Sequence, residues 1–184
     1  MLVLGISGSL RTDSYNTRLL RAAAAKLPPW ARMVLWDELV EIPPFNEDRE
    51  TGPVAAALGR LRHHIAMADA VLFATPEYNG SFPGQLKNAL DWASRPPQSN
   101  PLRGKPAAVV GSSTGLFGAV WAQADLRRVL GVIGADVLDV ELPVGQAHEA
   151  FSPRGDLIEP SLDEALADIV ATLTVRRAVP AHAA

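Results

Sequence analysis

The stretch that decides the fold is residues 70–84, AVLFATPEYNGSFPG. Ala70 to Thr75 is a nearly continuous apolar run, the pattern of a strand covered on both faces. The run passes into Thr75-Pro76-Glu77-Tyr78-Asn79-Gly80-Ser81-Phe82-Pro83-Gly84, where Asn79-Gly80 signals a turn and Ser81 ahead of Pro83 suits a helix start. A buried strand, a polar turn and a helix make up a βα unit, so the expectation is an α/β fold.

The same alternation recurs outward from this stretch, five times in all. Strand candidates are Leu2 to Ser7, Arg32 to Trp36, Ala70 to Thr75, Ala107 to Gly111 and Asp136 to Leu142. Between them, Leu19, Leu20, Ala23, Ala24 and Leu27 mark one apolar helix face, and Val54, Leu58, Leu61 and Ile65 mark a second. Ala122, Leu126, Val129, Leu130 and Ile133 form another stripe, and Leu162, Leu166, Ile169 and Leu173 the last. Short connections favour right-handed crossovers and one parallel sheet. The PPFNEDRETGP segment, 43–53, reads as a loop, residues 1–177 as one domain, and 178–184 as a frayed tail.

Composition narrows the chemistry. With 184 residues, 48% of them apolar, the chain can bury roughly 70% of its unfolded surface without staples. It has no cysteine, which excludes disulfides, iron–sulfur clusters and thiolate nucleophiles. Lys and Arg number 17 against 20 Asp and Glu, a net charge of −3, so there is no broad basic field for nucleic acid. The apolar N-terminal run lacks a cationic lead and reads as a strand. No stretch approaches the length needed to cross a bilayer, and a soluble cytoplasmic protein is expected.

Half of the 14 glycines, namely Gly5, Gly8, Gly80, Gly84, Gly111, Gly115 and Gly118, fall in three windows, each at or just after the end of a strand candidate. Ligands of open parallel sheets bind outside the carboxyl ends of the strands. The first window, Gly5 to Thr17, is built for an anion: Ser9, Ser14 and Thr17 offer hydroxyls, Arg11 a charged fork, and the helix start unpaired N–H groups. The same composition also suits a polar turn capped by Ser or Asn. It is neither a Walker A loop nor a GxGxxG fingerprint. In the second window Tyr78 and Phe82 can wall a planar ligand, or serve as core aromatics under a βα turn. The third, Gly111 to Gly118, has the same polar character.

The loop Gly8-Ser9-Leu10-Arg11 with Ser14 and Asn16, the Thr75 to Asn79 run leading through Pro83-Gly84 to Leu86-Lys87-Asn88-Ala89-Leu90-Asp91-Trp92, and the Gly-rich third loop together resemble the NAD(P)H-dependent FMN reductases. The resemblance spans most of the chain and is weakest beyond about Leu142. It implies a flavodoxin-like three-layer α/β/α fold with a five-stranded parallel sheet of order 2-1-3-4-5. It also implies FMN as cofactor, NADPH or NADH as co-substrate, and a homodimer or homotetramer. Acceptors in the family include quinones, free flavin, azo compounds and metal oxyanions. The resemblance would place the FMN phosphate on Ser9, Arg11, Ser14, Asn16 and Thr17, and the ring along Pro76, Glu77, Tyr78, Asn79 and Gly80. It would place the ring's pyrimidine side and ribityl chain by Ser112, Ser113, Thr114, Gly115 and Gly118, in a loop where Leu116-Phe117 replaces the longer glycine run of many relatives. No acid–base pair is nominated, because the flavin carries the chemistry.

Other features carry less. His63 and His64 point about 100° apart on a helix and cannot share a metal, so no metal site is expected. His148 stands alone, Glu47, Asp48 and Glu50 form an acidic turn, and Phe45 and Asn46 are secondary candidates for lining the site. Trp92 and Trp121 lie off their helical stripes and are expected near a subunit interface. The sequence does not settle NADH against NADPH: an arginine for a nucleotide 2′-phosphate would be Arg11, Arg95, Arg103 or none. Two rival functions remain at this stage: a flavodoxin-like electron carrier between proteins, which would not oxidise NAD(P)H directly, and a flavin-binding scaffold without turnover.

Overall fold

In the computed structural model, residues 1–50 and 55–176 are described. The strands are β1 (Leu2–Ser7), β2 (Arg32–Trp36), β3 (Ala70–Thr75), β4 (Pro106–Ser112), β5 (Asp136–Val137) and β6 (Pro143–Val144). The helices are α1 (Tyr15–Ala25), α2 (Ala56–Met67), α3 (Gly84–Ala93), α4 (Val120–Ile133) and α5 (Pro160–Val175). All strand pairs are parallel, in the order β2-β1-β3-β4-β5, with β6 also on β4. This is the flavodoxin-like order expected.

Side-chain alternation explains why the inner strands are apolar throughout. In β1, Leu4 and Ile6 face one layer and Val3 the other; in β3, Val71 and Phe73 oppose Ala70, Leu72 and Ala74. The first layer contains Leu58, Leu61 and Ile65 of α2, Leu86 and Leu90 of α3, and Leu126 and Leu130 of α4. The second contains Leu19 and Leu20 of α1 and Leu166, Ile169 and Leu173 of α5. Among the described residues no helix is long and apolar enough to cross a membrane. Val54 and the tail at 178–184 lie outside the described residues.

The fifth strand departs from expectation. A single strand over Asp136 to Leu142 is expected, but the chain pairs with β4 only at Asp136–Val137 and again at Pro143–Val144. Leu138 and Leu142 stay buried while Asp139 and Glu141 between them are exposed and the backbone leaves the ladder. Side chains of α4 supply bonds there: Gln123 Oε1 accepts from the Leu142 N–H at 2.9 Å, and Arg127 donates to the Val140 carbonyl at 3.1 Å. An alternating apolar pattern is kept without a continuous ladder because a neighbouring helix satisfies part of the backbone.

Candidate functional site

The three Gly-containing loops leave the carboxyl edge of the sheet side by side. The first, residues 8–14, is anchored where the Gly8 N–H donates to the Ala74 carbonyl at 2.8 Å. A Cβ on Gly8 would stand 3.1 Å from Leu86 and 3.4 Å from Pro76, so this glycine lets the first loop, the second loop and α3 close together. Ser14 is buried and caps α1, its Oγ accepting from the Thr17 N–H at 3.3 Å. The first turn of α1 has no acidic residue, and the N–H groups of Thr12, Asp13, Tyr15 and Asn16 have no partner among the described residues. Free amides at a helix start favour an anion. Ser9, Arg11 and Thr17 line a cavity of about 300 Å³ beside this loop.

Asn16 is a brace. Its amide nitrogen donates to the Ser112 carbonyl at 3.0 Å and its oxygen accepts from the Ser112 N–H at 2.9 Å, with the residue 3% exposed. It thus ties the start of α1 to the end of β4 and sets the spacing of the first and third loops.

The second loop is a two-residue hairpin turn. The Tyr78 N–H donates to the Ser81 carbonyl at 2.8 Å, the return bond is 3.2 Å, and Asn79 and Gly80 have φ of 53° and 79°, as such turns require. Glu77 Oε2 accepts from the Trp121 and Ala122 N–H groups, each at 3.1 Å, and so caps α4. Ser81 does not start α3: its hydroxyl donates to Asp125 at 2.8 Å, and the helix begins at Gly84 behind Pro83. Closing the hairpin uses Ser81 first, and Pro83 then sets the helix entry.

The third loop rests on the segment after β6. The Ser113 N–H donates to the Val144 carbonyl at 3.1 Å, and the Gln146 and Ala147 N–H groups donate to Gly115 and Ser113 carbonyls at 3.0 Å. At Gly118, with φ of 58°, a Cβ would overlap the Pro143 backbone. The Thr114 and Gly115 N–H groups have no partner among the described residues, and the Ser112 hydroxyl is buried without one. Across the three loops these donors fit FMN: α1 amides with Ser9, Arg11 and Thr17 suit a phosphate, and the unpaired loop amides suit a polar ring edge.

Several expectations change. Trp92 is 6% exposed inside the chain: its indole N–H donates to the Pro43 carbonyl at 2.9 Å and its ring meets Phe45 edge-on at 4.8 Å. Its off-stripe position is accounted for within the chain, because the 39–46 loop folds over the side of α3 that the apolar stripe leaves uncovered. Phe45 faces α3 and lines a separate cleft with Asp91, Arg95 and Arg103, and Asn46 caps a short 3-10 turn, so neither lines the three loops. Arg95 pairs with Glu50, and Arg103 precedes β4, at the opposite edge of the sheet. His63 is exposed, and His64 bonds the Arg60 carbonyl.

Gln85, Asn88 and Gln123 escaped the sequence reading. Gln85 donates to the Leu39 and Ile42 carbonyls, Asn88 bridges Pro43 and Phe45, and Gln123 joins Gly118 to Leu142. The available signal was polar amides at helical spacing on otherwise apolar helices.

Residues 1–149 match the NADPH-dependent FMN reductase family. The chain is 47% identical over 158 residues to an NAD(P)H-dependent FMN reductase of Pseudomonas aeruginosa, covering 85% of this chain and 84% of that one. It is 39% identical over 155 residues to a quinone reductase of Pseudomonas putida, covering 83% and 82%. Among solved structures it is similar to FerB, a flavoenzyme NAD(P)H:(acceptor) oxidoreductase from Paracoccus denitrificans, with a TM-score of 0.81, 36% identity and 94% of each chain covered. This chain belongs to the NADPH-dependent FMN reductase family and is an NAD(P)H-dependent, FMN-binding oxidoreductase.

Proposed function

We propose that this protein uses FMN, held by the three loops, to carry reducing equivalents from NAD(P)H to a quinone. Free flavins, azo compounds and metal oxyanions are further acceptors, and residues 1–177 act as one FMN-binding unit. The observation that carries the reading is the convergence of unpaired N–H groups from three loops at one edge of a parallel sheet, in a chain of this family.

Ser9, Arg11 and Thr17 hold the phosphate with the amides of α1, while Ser14 and Asn16 keep that cradle in shape. Pro76 to Gly80 lies along the ring, and Glu77 sets its position by fixing this loop to α4. Ser112 to Gly115, with Gly118 seating the loop, borders the ring edge and presents there the free Thr114 and Gly115 amides, which steady negative charge. When bound, FMN accepts hydride at N5 from a nicotinamide and passes electrons to the acceptor. Tyr78 and Phe117, both half or more exposed, flank the open side and favour planar acceptors. Trp121, 51% exposed, belongs to the surface through which two copies associate.

The test is an anaerobic titration of the FMN-loaded protein with NADPH and NADH, followed by flavin absorbance and then by addition of a quinone. Bleaching by nucleotide and recovery on adding quinone are expected. A flavin that stays oxidised with excess nucleotide overturns the reading in favour of a carrier or scaffold.

A further inference from the structure

The chain has five asparagines, Asn16, Asn46, Asn79, Asn88 and Asn100. Four of them are engaged through their side-chain amides. Asn16 braces Ser112, Asn46 accepts from the Asp48 N–H, and Asn88 bridges Pro43 and Phe45. Asn100 donates to the Ile133 carbonyl and accepts from the Leu102 N–H, both at 2.9 Å. Asn79, in the second loop, differs. Its amide and the Gly80 N–H have no partner among the described residues, and both residues are exposed.

The following residue decides what a free asparagine amide can do. Asn16, Asn46 and Asn88 precede Thr17, Glu47 and Ala89, and Asn100 precedes Pro101, which has no N–H. Only Asn79 precedes a glycine. A Cβ on Gly80 would meet nothing within 4 Å, so no neighbouring side chain shields the Gly80 nitrogen from water or from the Asn79 amide. The turn also opens at small cost. Tyr78 and Ser81 form an isolated bridge rather than the end of a ladder, and their two hydrogen bonds are the only backbone bonds that hold the Asn79–Gly80 peptide in its left-handed turn.

We propose that Asn79 is a site of spontaneous deamidation that ages the second loop; its effect on flavin rests on the reading above that Pro76 to Gly80 lies along the ring. The Gly80 nitrogen loses its proton to water and attacks the Asn79 Cγ. A C–N bond forms there, and the side-chain nitrogen takes up a proton and leaves as ammonia, which gives a cyclic succinimide. Water then opens the ring. Attack at Cγ yields aspartate, and attack at the former backbone carbonyl yields isoaspartate, whose main chain runs through Cβ and Cγ. Nothing is oxidised or reduced. Both products place a new carboxylate two residues from Glu77, beside a ring that must gain electrons. Isoaspartate also adds a methylene to a turn whose pairing fixes the number of backbone atoms between Tyr78 and Ser81. The longer turn displaces Tyr78 and strains the Ser81–Asp125 bond that ties the loop to α4. Flavin bound against the closed turn slows the reaction.

The full-length protein, FMN-free and FMN-saturated, is held in warm buffer at neutral and mildly alkaline pH. Samples are read by peptide mass spectrometry, with enzymatic isoaspartyl methylation to mark the rearranged product. The Asn79 peptide should convert from amide to acid at least about tenfold faster than the peptides holding the other asparagines. Its rate should rise with pH, since the attacking amide must lose a proton, and fall when FMN is saturating. Aged protein should bind FMN at least about threefold more weakly by fluorescence titration. Asn79→Gly, which keeps the left-handed turn without the amide, should hold its own starting FMN affinity over the same incubation. Conversion at Asn79 no faster than elsewhere, no slowing by FMN, or an equal loss of affinity in Asn79→Gly overturns the inference. If fresh protein binds no FMN, the functional reading fails, while the FMN-free samples still decide the chemistry at Asn79.

Discussion

Two aromatic regions of the same layer are built on opposite principles. Around Trp92, side chains hold the backbone: the indole, Asn88 and Gln85 all bond carbonyls of the 39–43 segment, and Phe45 closes over the ring. Around Trp121, the backbone holds side chains outward: Gly118 lies against Pro143, Glu77 caps α4, and the Phe117–Trp121 pair, 5.2 Å apart, remains in solvent. The first arrangement stabilises the monomer. The second costs exposed apolar area and provides rigid aromatic surface beside the candidate flavin site, which is the usual mark of an interaction surface.

Four substitutions test that contrast. Trp92→Ala should have the largest effect, a loss of about 3–5 kcal/mol in urea unfolding, since it removes a buried ring and one of the two side-chain hydrogen bonds to the Pro43 carbonyl. Gly118→Ala comes next, at about 3 kcal/mol, because the left-handed φ and the Pro143 backbone both resist a Cβ; its thermal midpoint should fall accordingly. Glu77→Ala should cost about 1–2 kcal/mol and appear as faster amide exchange in the first turn of α4, with weaker FMN binding by fluorescence titration. Trp121→Ala should change stability by no more than about 0.5 kcal/mol, and its effect should appear in sedimentation, as a shift toward monomer. Comparable destabilisation from the two tryptophan changes would break the contrast. A dimer unaffected by Trp121→Ala would remove the interface role while leaving the folding argument intact.

The sheet was legible because its signals are local. Leu2–Ser7, Arg32–Trp36 and Ala70–Thr75 begin and end as strands where their apolar runs do, and the buried faces of α1, α2, α4 and α5 follow 3.6-residue spacing. The three loops were legible for the same reason, as glycine and hydroxyl residues cluster at strand ends. The fifth strand was not, since Leu138 and Leu142 keep strand-like burial while Gln123 and Arg127, distant in sequence, take up backbone bonds. Nor were the roles of Asn16 and Glu77, whose polarity reads as ligand binding until their partners at Ser112 and Trp121 are known.

By itself the sequence determined the parallel α/β architecture, the sheet edge at which glycine-rich polar loops gather, the family and the exclusion of thiol chemistry. Each follows from residue type and spacing along the chain. Only the tertiary structure decided which polar groups brace the loops and which are left unpaired, which tryptophan is buried, and which side chains take up the backbone bonds of the interrupted fifth strand. Those outcomes depend on hydrogen bonds and ion pairs between residues tens of positions apart, whose geometry exists only once the layers have packed.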